Sequence, residues 1–125
     1  MEKWFRIVLF ATAAMNLVGA LMFAPISDFA RDAFGFPKSH PLYLWILTVW
    51  IFAFGACYLW MAVTQRRERL FIVIAAVGKL SFVALLLIFY LVGDVPFLAV
   101  TGSAGDLIFG ILFVWWLTKN KSAIN

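Results

Sequence analysis

Four long apolar runs decide what this chain of 125 residues can fold into. They cover about residues 7–24, 43–63, 70–92 and 97–117. Each comes close to the roughly 20 apolar residues that a helix needs to cross the hydrocarbon core of a bilayer. A helix satisfies all its backbone polar groups internally, which lipid demands. The reading is therefore an all-α integral membrane protein, a single transmembrane domain built as a four-helix bundle. The first run follows Lys3 and Arg6, as a signal peptide would. It is longer than a normal h-region, and Met22-Phe23-Ala24-Pro25 is a poor cleavage site, so it reads as a retained helix.

Composition closes off the alternatives. Hydrophobic residues make up 66% of the chain and charged residues 13%. Soluble domains run nearer half apolar and a quarter charged. A small domain leaves too much of its surface exposed to hide that excess. A soluble enzyme, a nucleic-acid-binding module and a disordered chain are excluded. The net charge of +4 does not argue for a nucleic-acid partner, because the basic residues sit at the ends of the apolar runs. Lys3, Arg6, Arg66, Arg67, Arg69, Lys119 and Lys121 fall on one side of the predicted membrane, and only Arg31 and Lys38 on the other. The positive-inside bias therefore predicts that both termini are cytoplasmic.

The connections carry their own signals. In residues 25–41, Ser27 reads as an N-cap, Asp28 suits a first turn, and Gly35 followed by Pro37 ends the segment. This predicts a short interfacial helix between the first two spans. Phe29, Ala30, Ala33 and Phe34 would form its apolar face, and Arg31 and Asp32 its polar one. Residues 64–69 form a tight charged turn, which predicts that spans two and three are antiparallel neighbours. Gly93-Asp94-Val95-Pro96 is built from turn formers.

Polar residues inside the spans are the natural place to look for function, because they are expensive to bury in lipid. Counted from the Arg-rich boundary at about 1.5 Å per residue, Asn16, Lys79 and Asp106 all lie roughly 14–17 Å deep. Tyr58 lies about 8 Å deep by the same count, and its side chain is long enough to approach that layer. Thr12 and Ser81 lie close enough to join. A lone Lys or Asp at a helix centre costs about 2.5–3.5 kcal/mol on insertion scales. At one depth on consecutive antiparallel helices the two charges offset each other, which predicts a Lys79–Asp106 salt bridge with Asn16 and Tyr58 as neighbours. Such a pair serves either as a helix pin, as a binding or catalytic site, or as a proton relay.

Other features are read as structural. Gly102-Ser103-Ala104-Gly105 is a small-residue patch for close helix packing, with a broken half-helix as its alternative. The single Cys57 excludes an intrachain disulfide and a Cys-based metal site, and the single His40 excludes bis-histidine haem ligation. No cofactor or metal is expected. His40 reads as a solvated loop residue. The 14 Phe and 6 Trp read mostly as lipid-facing and belt residues.

Several of these residues together resemble the DoxX-like group of small four-helix bacterial membrane proteins. They are Gly55 to Tyr58, the Arg-rich turn, Gly78-Lys79, Gly93 with Pro96, and Gly105-Asp106-Leu107 before Trp115-Trp116. Asn16 with Gly19, Pro25 and Phe34-Gly35-Phe36-Pro37 add to the likeness. The resemblance implies a bacterial inner-membrane location. It also implies a link to membrane redox chemistry, as seen for some members that serve as a subunit of a thiosulfate:quinone oxidoreductase or partner oxidant-resistance complexes. Two function classes follow. One is a hydrophobic-ligand (quinone or lipid) binding or accessory subunit, as a homodimer or with a membrane-complex partner. The other is a small transporter or membrane enzyme that uses the Lys79–Asp106 pair directly, for which no catalytic residue is assigned.

Overall fold

The computed structural model describes residues 2–120. Lys121, counted above among the basic residues of the C-terminus, lies outside them. The described residues form helices joined by short turns, with no strand among them. Helix α1 spans Lys3–Phe23, α2 Asp28–Phe34, α3 Pro41–Thr64, α4 Arg69–Leu91, α5 Phe97–Thr101 and α6 Ala104–Lys119. Helices α1, α3 and α4 are each long and apolar enough to cross a membrane. Their outward faces carry Leu17, Val18, Val49, Trp50, Val77 and Ile88, all exposed. A surface so continuously apolar calls for lipid rather than water around it.

The fourth run is not one helix. It breaks between α5 and α6 at Gly102 and Ser103. There the Gly102 N–H is shared between the Leu98 and Ala99 carbonyls, and Ser103 Oγ donates to the Val100 carbonyl at 2.7 Å. Glycine is a weak helix former, and a serine hydroxyl competes for backbone groups of the preceding turn. Together they interrupt the ladder.

Side-chain bulk decides which helices pair. The extensive pairs are α1 with α3 and α4 with α6; α3 and α4 are neighbours as expected, but they meet through side chains rather than by close backbone approach. A Cβ on Gly55 would lie 3.0 Å from Asn16 Cβ, and one on Gly110 only 2.8 Å from a Leu80 methyl, so these pairs approach backbone to side chain. Between α3 and α4 the rings of Phe54 and Tyr58 meet Phe71 at 5.1 and 5.4 Å and hold the two backbones apart. Gly105, in the small-residue patch, packs against Met15 of α1, so the patch is used within the chain.

Two apolar clusters result. At the end that carries both termini, Phe5, Leu9, Tyr58, Met61, Ile72, Phe113 and Trp116 are buried together. At the opposite end, Leu86, Val95 and Ala99 form a smaller cluster with Phe36, Phe82 and Val100.

Three of the arginines counted in the charge bias also close helix ends. Arg31 is buried and donates to the Met22 and Ala24 carbonyls at the end of α1, at 2.8 and 2.7 Å. Arg6 donates to the Ala62 carbonyl of α3 at 2.7 Å, and Arg69 to the Leu117 carbonyl in the last turn of α6 and to that of its C-cap, Asn120. The last carbonyls of a helix lack intrahelical partners, and a cation there also suits the helix dipole. Arg31 is therefore not on the polar face of α2 as expected. Phe29, assigned to the apolar face, is 77% exposed, and Ala33 is exposed as well. Helix α2 does lie where expected. Its end at Gly35 is fixed twice, by φ +78° and by Pro96, whose Cγ would sit 2.3 Å from any Cβ there. His40 is an exposed loop residue as expected, and it also has a structural part: its Nδ1 accepts the Leu42 N–H at 3.1 Å and caps α3, with Pro41 in the first turn.

Candidate functional site

The polar layer is assembled from four helices. Asn16 comes from α1, Tyr58 from α3, Lys79 from α4 and Asp106 from the first turn of α6. The break at Gly102 and Ser103 is what gives Asp106 its place. It starts a new helix two residues before the carboxylate, so that the charge lies at the positive end of the α6 dipole.

Lys79 is the hub. Its side chain is 6% exposed, and its Nζ donates to Asp106 Oδ1 at 3.0 Å. It also donates to Asn16 Oδ1 at 3.4 Å. The ammonium lies 5.5 Å from the centre of the Tyr58 ring, within the range of a cation–π contact. Asn16 in turn donates through Nδ2 to the Ile51 carbonyl of α3 at 3.0 Å, which fixes its amide orientation. Gly55 permits this by leaving room against the Asn16 side chain. The lysine charge is thus met by a carboxylate, an amide oxygen and a ring face. That is the compensation an ion needs in a low-dielectric interior.

Asp106 is less enclosed than its partner, at 23% side-chain exposure. Lys79 engages its Oδ1, and among the described residues its Oδ2 makes no hydrogen bond. Tyr58 is 2% exposed, packed against Phe54, Phe71 and Phe113. Its hydroxyl likewise forms no hydrogen bond among the described residues, and since no fully buried polar atom there lacks a partner, the hydroxyl keeps an open side. The layer therefore holds a closed inner network and two unengaged polar groups, one acceptor and one donor.

The remaining candidates do not reach it. Ser81 is exposed, facing away from Lys79. Two residues along a helix turn the side chain by about 200°, so both cannot face the same interior. Thr12 is buried but bonds back to the Val8 carbonyl of its own helix at 2.7 Å. Cys57, next to Tyr58, is exposed on α3. Among the described residues no group of three or more His, Cys, Asp or Glu side chains could hold a metal ion. The Ile51 carbonyl, which anchors Asn16, leaves no sequence signal at all, since any residue at that position supplies one.

No family model, curated protein or solved structure matches this chain.

Proposed function

We propose that this chain is a four-helix protein of a bacterial inner membrane, related to the DoxX-like group, that binds a hydrophobic ligand at the Lys79 layer. In this reading the broken limb of residues 97–119 is the fourth crossing, and both termini are cytoplasmic. Three membrane-length helices support the membrane setting, and the Lys and Arg distribution supports the orientation. The carrying observation is the asymmetry of the ion pair: Lys79 is sealed, while Asp106 stays partly exposed with one oxygen unengaged. A pair that served only to pin α4 to α6 has no need of an open side. An apolar molecule with a polar head, such as a quinone, matches the layer. Its carbonyl accepts from the Tyr58 hydroxyl, and its ring stays on the exposed side of Asp106, outside the packed aromatic cluster. An accessory role on a membrane complex, delivering or holding that ligand, follows from the same site.

The test is ligand-dependent stability in mild detergent, with a short-chain benzoquinone as the probe. A ligand that binds only the folded state stabilises it by about 2.7 kcal/mol at a hundred times its dissociation constant. Thermal unfolding of the wild type should shift upward with added quinone. A Tyr58→Phe and Asp106→Leu variant that still folds should show no shift. An equal shift in both proteins, or none in the wild type, overturns the proposal.

A further inference from the structure

The opposite end of the molecule, around α2, holds a second arrangement that the Lys79 layer does not use. A polar recess of about 160 Å³ is lined by Asp28, Arg31, Asp32, Lys38 and Ser39, together with Pro37. At ~30 Å³ per water, that is room for about five water molecules. Beside it runs an apolar groove of about 540 Å³ along α4, lined by Phe82, Leu85, Leu86 and Phe89, with Val95 and Asp94 from the following turn. This volume lies within the ~300–1,000 Å³ of small-molecule sites. Pro37 lines both, so recess and groove adjoin. The groove follows the last turns of a membrane-length helix, where the surroundings change from hydrocarbon to head group. Only a molecule with a polar head and an apolar tail suits both parts at once.

The charges narrow the head group. Arg31 is engaged with Asp28 and with the end of α1. Among the described residues, Asp32, Asp94 and Lys38 form no ion pair. The rim thus offers two carboxylates and one ammonium. A head carrying both a phosphate and a primary ammonium complements that set, with the phosphate on Lys38 and Ser39 and the ammonium on the carboxylates. A head whose only charge is a phosphate meets an excess of negative charge. A quaternary ammonium supplies the charge but no N–H to donate.

We propose that this composite recess binds one phospholipid with a primary-amine head group, phosphatidylethanolamine. Its head sits among Asp32, Lys38 and Asp94, and an acyl chain lies along Phe82, Leu85 and Phe89. The site is independent of the Lys79 layer and of the chain's orientation, because a phospholipid is present in whichever leaflet α2 faces.

Native mass spectrometry of the full chain, released from nanodiscs of equal phosphatidylethanolamine and phosphatidylglycerol, tests this directly. One phosphatidylethanolamine should be retained per chain, favoured over phosphatidylglycerol by about tenfold, which is about 1.4 kcal/mol. Leu85→Trp fills the groove from an exposed position and should remove most of the retained lipid. The double change Asp32→Asn and Asp94→Asn should abolish the preference between the two lipids while leaving the groove intact. Ser81→Leu, on the same helix but outside the groove, should change neither. Equal retention of the two lipids by the wild type marks ordinary boundary lipid and overturns the proposal. So does undiminished retention by Leu85→Trp.

Discussion

The two ends of this molecule are held together differently. At the terminal end, Phe5, Leu9, Phe113 and Trp116 are each fully buried, and Phe5 stacks on Trp116 at 4.6 Å. The Trp116 indole N–H donates to Glu2 at 2.7 Å, which ties the first turn of the chain to its last helix. All four limbs of the fold contribute to that cluster. At the α2 end the buried cluster is small, and order comes from caps and turns: Arg31 on the end of α1, Gly35 against Pro96, His40 on α3. The Lys79 layer lies between the two. Tight packing excludes guests, and the two recesses with room for a ligand both lie at the α2 end, away from the aromatic cluster. In lipid this contrast is one of contact rather than of water exclusion, because hydrocarbon tails are as apolar as the side chains they replace.

The sharpest way to break the comparison is to empty each core in turn. Phe113→Ala should cost about 3–5 kcal/mol, and Leu86→Ala should fall at the low end of the ~2–5 kcal/mol for such truncations. Both are measured by equilibrium unfolding in mixed micelles. Equal losses would mean that the two ends are equally packed in energetic terms.

The polar layer comes next. Asp106→Leu alone leaves a buried ammonium without its partner, at a cost of about 3–5 kcal/mol, and Lys79→Met alone leaves the more exposed carboxylate and should cost less. The double change should recover much of that loss, and the non-additivity in a double-mutant cycle measures the coupling. Additive losses would show that the 3.0 Å contact contributes nothing to stability. A stable double mutant that keeps its response to quinone would reduce the pair to a helix pin.

Arg31→Met should act more locally. Hydrogen bonds to a charged group are worth about 1.5–3 kcal/mol, and this change removes those that close α1. Hydrogen exchange should rise across residues 22–36 while the Phe113 and Trp116 region stays protected. Protection lost at both ends together would show that the fold is a single cooperative unit. The smallest effect belongs to Ser81→Leu, which should stay within about 0.5 kcal/mol because the side chain faces outward. A larger loss would place Ser81 against something other than lipid.

Much of this architecture is legible without coordinates, because lipid imposes one-dimensional rules. Length and apolarity alone mark α1, α3 and α4 as membrane-length helices, and Gly35 marks the end of α2. Helix rise alone puts Asn16, Lys79 and Asp106 at one depth, since a helix converts residue number into height with little error. Depth says nothing about direction around the axis. The spans are apolar on every side, so no amphipathic stripe tells which face points inward. That is why Ser81 counts as near Lys79 by height and yet faces away from it.

What only the tertiary structure decided follows from the same gap. The pairing of α1 with α3 and α4 with α6 depends on where glycines let backbones close and where rings keep them apart. The caps made by Arg6, Arg31 and Arg69 depend on which helix end each guanidinium reaches, and Arg6 and Ala62 are 56 residues apart in the chain. The partner of Asn16 is a backbone carbonyl, which every residue carries and no sequence distinguishes. The sequence by itself determined that this chain belongs in lipid and at what height its charges lie, because bilayer thickness and helix rise act on the chain alone. Which faces meet was left to side-chain shape in three dimensions, because a helix that is apolar all round is equally content with lipid or with a neighbour.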